Sequence, residues 1–241
     1  MERAEHLLSD EAIDCMVVLK EHADKTNCEC DGLWLRLALD LLDKNDIDPH
    51  VFSEALRVAF AKGREKHVNV IIIGPADSAK TFILQPITKA IPNTFQNPAK
   101  GMFGWLGVDK ANAVFLNDLR WIAPNVSGFF IAWDDFLKLL EGKQVTLPAP
   151  MNSSSKHIHV SRKMPIFATS IGEVRYHVRN VDEPQTNTHL EENTMMESRW
   201  NVIRFKHRFH KSDKIDVPEC CTCFSKLVLG DYGPMNTSMT I

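Results

Sequence analysis

His67-Val-Asn-Val-Ile-Ile-Ile-Gly-Pro-Ala-Asp-Ser-Ala-Lys-Thr81 is the stretch on which the fold turns. Its first half, His67 to Ile73, is short, β-branched and closed at once by Gly-Pro, the pattern of a strand buried on both faces of a parallel sheet. Its second half, Gly74 to Thr81, matches the phosphate-loop pattern GxxxxGK[ST] at every fixed position except the second glycine, where Ala79 stands. That chemistry needs a turn whose backbone faces phosphates, a lysine for the β/γ oxygens, and a hydroxyl for magnesium at the start of a helix. Gly74, Pro75, Ala76, Asp77, Ser78, Ala79, Lys80 and Thr81 are therefore the expected nucleotide cradle, with ATP and Mg2+ as the expected cofactors. Alanine at the second glycine position is expected to cost about 1 to 2 kcal/mol if the loop requires a positive φ there. Pro86, inside the helix that should follow, removes an internal hydrogen bond and should kink it.

Working outward, the upstream 65 residues read as helical. Leu7, Ile13, Met16, Val17 and Leu19 recur at loose helical spacing, and Trp34, Leu37, Leu41 and Leu42 do so more clearly. A third helix has both of its stops, Asp48 as N-cap before Pro49 and Gly63 at the end, with Phe52, Leu56 and Phe60 along one stripe. Downstream, strands are expected at 113–116, 165–168 and 202–205 and helices after Lys80 and over 134–140, whereas the polar run 180–198 reads as a long surface loop. Such alternation predicts an α/β fold, a parallel sheet sandwiched by helices, with ligands beyond the carboxyl ends of its strands. Three parts are expected: an acidic helical bundle over 1–65, a phosphate-loop NTPase domain over 66–212, and a cysteine-containing tail over 213–241.

Composition narrows the function classes. With 241 residues, 44% hydrophobic and 24% charged, the chain is neither a disordered tail nor a disulfide mini-protein. Val70–Ile73 is far too short a run to span a bilayer, and Glu2, Arg3, Glu5, Asp10, Glu11 and Asp14 do not make the apolar core of a secretory signal. No membrane association and an intracellular location are expected, so the six cysteines read as thiols or metal ligands. The net charge of -3 hides an asymmetry, since acids dominate the first fifty residues and bases the remainder. Lys156, Arg162, Lys163, Arg175 and Arg179, then Arg199, Arg204, Lys206, Arg208, Lys211 and Lys214, form basic stretches suited to a polyanion or to a solvated face.

Taken in order, several stretches resemble the superfamily 3 helicase domains of viral replication initiators, as in parvoviruses and circoviruses. After the phosphate loop, Ala113-Val-Phe-Leu-Asn-Asp-Leu-Arg-Trp121 is similar to the family's second motif, where a strand delivers two acids. Trp133 to Leu140 and Val145-Thr-Leu147 resemble its helix and hairpin, Met164 to Ser170 its third motif, and Glu197 to Phe205 its terminal arginine and last strand. The resemblance covers roughly residues 66 to 210. It implies an AAA+-like ATPase that assembles as a ring, a hexamer by the family's habit, and translocates on single-stranded DNA in the nucleus. Asp118 would then hold magnesium with Thr81, Thr169 would help orient water, and Arg199 would reach into a neighbouring subunit's site. Lys156, His157, Arg162 and Lys163 fall on the hairpin that touches DNA phosphates in this family. Ala79, Asn117 and Ile171 each depart from the family's pattern by removing a group that turnover normally uses, so a scaffold that keeps the fold after losing catalysis is the alternative. His157-Ile-His159 spells the His-hydrophobic-His signature of nicking endonucleases, but it lies inside the helicase-like region, so a nuclease reading is rejected.

Near the end, His207 and His210 are followed by Cys220 and Cys223, two short pairs that suit tetrahedral zinc. The other reading packs the cysteines under Phe224, Leu227, Val228 and Leu229. Cys28 and Cys30 show no matching partner pair in the sequence and are expected to serve no metal.

Overall fold

The computed structural model describes residues 12–26, 28–98, 103–119, 131–150, 157–176, 187–210 and 217–233. Among them no helix is long and apolar enough to cross a membrane. Three helices come first, α1 (Cys15–Ala23), α2 (Leu33–Asp43) and α3 (Pro49–Lys62). Asp48 caps α3 through its carboxylate, which accepts the His50 amide at 2.8 Å, and Gly63 ends it at φ 71°.

Strand β1 (Asn69–Ile73) follows, buried at every residue, and Gly74 leads to α4 (Lys80–Leu84). The helix expected to kink at Pro86 is broken there, and a second short helix, α5 (Ile87–Ala90), starts beyond it. Next come β2 (Thr94–Gln96), a 3-10 turn at Val108–Lys110, β3 (Ala113–Leu116) and α6 (Trp133–Leu140). A hairpin, β4 (Val145–Pro148) with β5 (His157–Val160), precedes β6 (Ile166–Ser170), α7 (Asn187–Glu197), β7 (Trp200–Arg204) and α8 (Cys221–Leu229). Helix α7 corrects the expected loop over 180–198: Leu190, Glu191, Glu192, Met195 and Met196 are good helix formers, but only Met196 is buried, so no apolar period announced them. Residues 180–186 lie outside the described residues.

The sheet runs β2-β3-β6-β1-β7, with every neighbouring pair parallel. Side chains of successive residues face opposite sides, which divides the core into two layers. Val70, Ile72, Ala113, Phe115 and Phe167 join one apolar cluster with α1 to α5 and α8. Ile71, Ile73, Val114, Leu116, Ile166 and Ala168 join another with α6 and the inward face of the β4–β5 hairpin. The result is the α/β sandwich that the sequence predicts, a mostly parallel sheet flanked by helices. The last helix, α8, packs among α1, α2 and α3, where Phe224 meets the Trp34 and Phe60 rings edge-on at 6.1 and 6.4 Å.

Two buried polar residues tie these layers together. Arg64 is fully buried, and its guanidinium donates to the carbonyls of Arg162, Leu139, Lys143 and Val160, so one cation joins the end of α6 to the hairpin. Burial lowers its pKa to about 10, which still leaves it charged at neutral pH. Asn45, between α2 and α3, accepts the amides of Lys206 and His207 at 2.6 and 2.9 Å, fixing the chain just after β7.

Candidate functional site

Parallel pairing aligns the carboxyl ends of β1, β3, β6 and β7, with Ile73 opposite both Ser170 and Arg204, and Leu116 opposite Ala168. Gly74, Asn117, Asp118 and Thr169 are thereby gathered at one edge. The approach at Gly74 is close enough to require glycine, because a Cβ there would come within 2.5 Å of the Phe205 carbonyl oxygen. Its amide donates to Ser170 O at 3.1 Å, and farther round the loop the Phe209 amide donates to Asp77 O at 2.9 Å.

Asp77 and Ala79 both adopt φ 60°, so the backbone conformation for which a second glycine is suited is present although the glycine is not. Left-handed residues interspersed with right-handed ones turn successive amides toward a common point, the geometry of an anion nest. Lys80 is buried, and its ammonium donates to Gly74 O at 2.8 Å, Pro75 O at 2.6 Å and Ser78 Oγ at 3.1 Å. Burial lowers its pKa, while the nearby carboxylates of Asp118 and Asp77 act in the opposite direction. Ala76, Asp77 and Thr81 are exposed at the mouth, whereas Gly74, Ser78 and Lys80 are buried.

Beside the lysine lies a hydroxyl and amide cluster. Thr81 Oγ1 and Thr169 Oγ1 both donate to Asn117 Oδ1, at 2.7 and 2.8 Å, and Thr169 Oγ1 accepts the Asp118 amide at 2.8 Å. Asn97 Nδ2 donates to Asn117 O at 2.9 Å, and Asp118 itself takes φ 55°. The donor set fits a magnesium nucleotide: an ammonium in the loop, a hydroxyl at the helix start, and a carboxylate after β3, which β6 separates from β1. Thr169 differs from its expected part, since its hydroxyl is engaged in holding Asn117 and the Asp118 backbone. Ile171, beyond it, is 48% exposed where the family's pattern has a polar group.

Arg199 differs more. It is buried, its guanidinium donates to Glu141 Oε1 at 2.5 Å and to Met195 O, and it points into its own chain instead of outward. Burial by itself would raise the Glu141 pKa, yet hydrogen bonds from Lys143 and Lys66 and the charge of Arg199 outweigh it and hold the group at about 2. A shallow cleft of about 520 Å3 opens here, between α6 and α7, lined by Lys66, Asp134, Glu141 and Arg199 among others.

On the hairpin, His157 and His159 lie on the exposed face of β5, and Thr146 Oγ1 is 3.1 Å from His159 Nδ1. Arg162 donates to Lys110 O at 3.2 Å, and Lys163 is exposed while its carbonyl abuts Gly63. Lys156 lies outside the described residues, as do Arg179, Lys211 and Lys214.

The expected zinc ligands separate. His207 is placed by its amide on Asn45, its ring against Phe209 at 4.6 Å, and neither it nor His210 joins the cysteines. Cys220 and Cys223 instead meet Cys28 and Cys30, the pair set aside in the sequence, with all four sulfurs within 4.8 Å of one another. The separation of 192 positions from Cys28 to Cys220 hides this juxtaposition from any local spacing rule.

No family model and no curated protein matches the sequence. Among solved structures, the chain is similar to the JCV helicase, at TM-score 0.50 and 13% identity, over 80% of this chain and 53% of that one. It is also similar to the apo C-terminal region of NrS-1, at TM-score 0.45 and 12% identity, over 83% of this chain and 42% of that one. This chain thus spans about half the length of those solved chains. The likeness to the helicase supports a helicase-like, phosphate-loop NTPase type of fold.

Proposed function

We propose that this chain is a nucleotide-driven module of the superfamily 3 helicase kind, binding ATP with magnesium in the Gly74–Thr81 loop, acting on single-stranded DNA and working as a ring in the nucleus. The observation that carries this reading is the convergence of Lys80, Thr81, Asn117 and Asp118 at the carboxyl edge of one parallel sheet. Lys80 would leave its loop carbonyls for the β/γ oxygens, and Thr81 with Asp118 would hold the metal, whose chemistry is to neutralise charge developing on the phosphates. Thr169 serves as a positioning residue that sets Asn117 and Asp118. A cation for a neighbouring site would have to come from elsewhere than Arg199, whose guanidinium is committed to Glu141. His157, Arg162 and Lys163 remain the proposed phosphate contacts on the DNA side, joined by Lys156.

A second reading, a nucleotide- or DNA-binding scaffold without turnover, is favoured by Asn117. A neutral amide stands where a second acid would act, and it already holds both threonine hydroxyls. Titration of fluorescent ATP and measurement of phosphate release with and without single-stranded DNA, each beside Lys80→Ala, separate the two. Saturable binding lost in Lys80→Ala, with DNA-stimulated release, is expected for the motor. Binding without release identifies the scaffold, and identical titrations for the two proteins rule out the nucleotide site.

A further inference from the structure

We propose that Cys28, Cys30, Cys220 and Cys223 bind one zinc ion through four thiolates, clasping the segment between α1 and α2 to the head of α8. The sulfurs are grouped as a single-metal site requires. Cys28 Sγ lies 3.4 Å from Cys30 Sγ, 3.4 Å from Cys220 Sγ and 3.2 Å from Cys223 Sγ, and Cys30 Sγ lies 3.4 Å from Cys223 Sγ. A disulfide would bring two of them to about 2.0 Å. Tetrahedral zinc, with bonds of about 2.3 Å, sets its sulfurs about 3.8 Å apart, close to what is seen here. All six cysteines are free thiols, so no disulfide competes for these four.

The surroundings suit thiolates as well. The Trp34 amide donates to Cys30 Sγ at 3.4 Å and the Cys223 amide to Cys220 Sγ at 3.5 Å, the kind of outer hydrogen bond that orients sulfur ligands on a metal. Cys220 and Cys223 are buried and the other pair half-buried, beside Trp34 and Phe224 in the apolar cluster. Four thiols crowded together offer each other only weak hydrogen bonds, whereas a shared cation satisfies all of them at once. Four soft donors in one compact group select zinc or an iron-sulfur centre, and a span within 4.8 Å matches one ion more closely than a multi-iron cluster. The pairs Cys28-x-Cys30 and Cys220-x-x-Cys223 each supply a short knuckle, one from either flank of the sheet domain.

This assignment is independent of the nucleotide reading and is tested without activity. The full chain, purified after zinc-replete expression, should carry about one zinc by elemental analysis, and Cys28→Ser or Cys223→Ser should lose it. Cys221→Ser and the His207→Ala, His210→Ala pair should retain it. Because a serine variant can fail by misfolding, the wild-type chain is also stripped with a chelator and refilled with cobalt. An intense tetrahedral spectrum with sulfur-to-cobalt charge transfer is expected, bleached by added zinc. A chain with under about one-tenth zinc, iron in its place, disulfides among these cysteines, or a cobalt spectrum lacking thiolate bands overturns the site.

Discussion

At the scale of single residues, Ala79 shows how a missing glycine leaves a conformational demand in place. Its φ of 60° and ψ of 21° fall in the left-handed region, where a Cβ is disfavoured by about 1 to 2 kcal/mol, and the loop nonetheless closes over Lys80. Ala79→Gly should therefore raise the urea midpoint by an amount equivalent to about 1 kcal/mol, the gain being limited by the greater freedom of glycine in the unfolded chain. If the loop is a nucleotide site, the same variant should bind fluorescent ATP more tightly. Equal midpoints for the two proteins would mean the turn stores no strain. This residue was legible in the sequence because the phosphate-loop pattern names its position. Arg64 was not: a charge next to a helix-ending glycine looks like surface, and only the fold brings it the Leu139, Lys143, Val160 and Arg162 carbonyls.

At the scale of elements, what could be read depended on whether the signal was local. Helix α3 carries its own cap, first-turn proline and terminal glycine, and β3 and all of β1 after Asn69 are continuous apolar runs, so these elements are announced by adjacent residues. Strand β2 has three residues at a sheet edge and helix α7 has almost no apolar face, so neither produces a periodicity to detect. Around α7 the structure makes a pH prediction. Glu141 follows α6 and joins Arg199, between α7 and β7, with Lys66 and Lys143 adding further contacts. Its folded pKa of about 2 lies below the ordinary value of 4.5, so its stabilisation is fully present above 4.5 and disappears as pH falls toward 2. Glu141→Gln should unfold at lower urea than wild type at neutral pH, by about 2 kcal/mol, and the two curves should converge near pH 2. Parallel curves across that range would remove Glu141 from the acid-sensitive set.

At the scale of the whole molecule, α1 to α3, the sheet and α8 share one apolar cluster, although the sequence suggests a front bundle, a central domain and a tail. Phe224 is the test of that sharing, being fully buried between Trp34 and Phe60. Phe224→Ala should cost about 3 to 5 kcal/mol and shift far-ultraviolet circular dichroism and tryptophan fluorescence midpoints together. Two separated midpoints would instead show a front bundle that unfolds by itself. The order of α8 after every other described element has a consequence for biosynthesis. A nascent chain paused before Cys220 holds Leu19, Trp34, Leu42 and Phe60 with no final helix to seal them, so holdase chaperones should crosslink to stalled ribosomal intermediates and release them once residue 229 has cleared the exit tunnel.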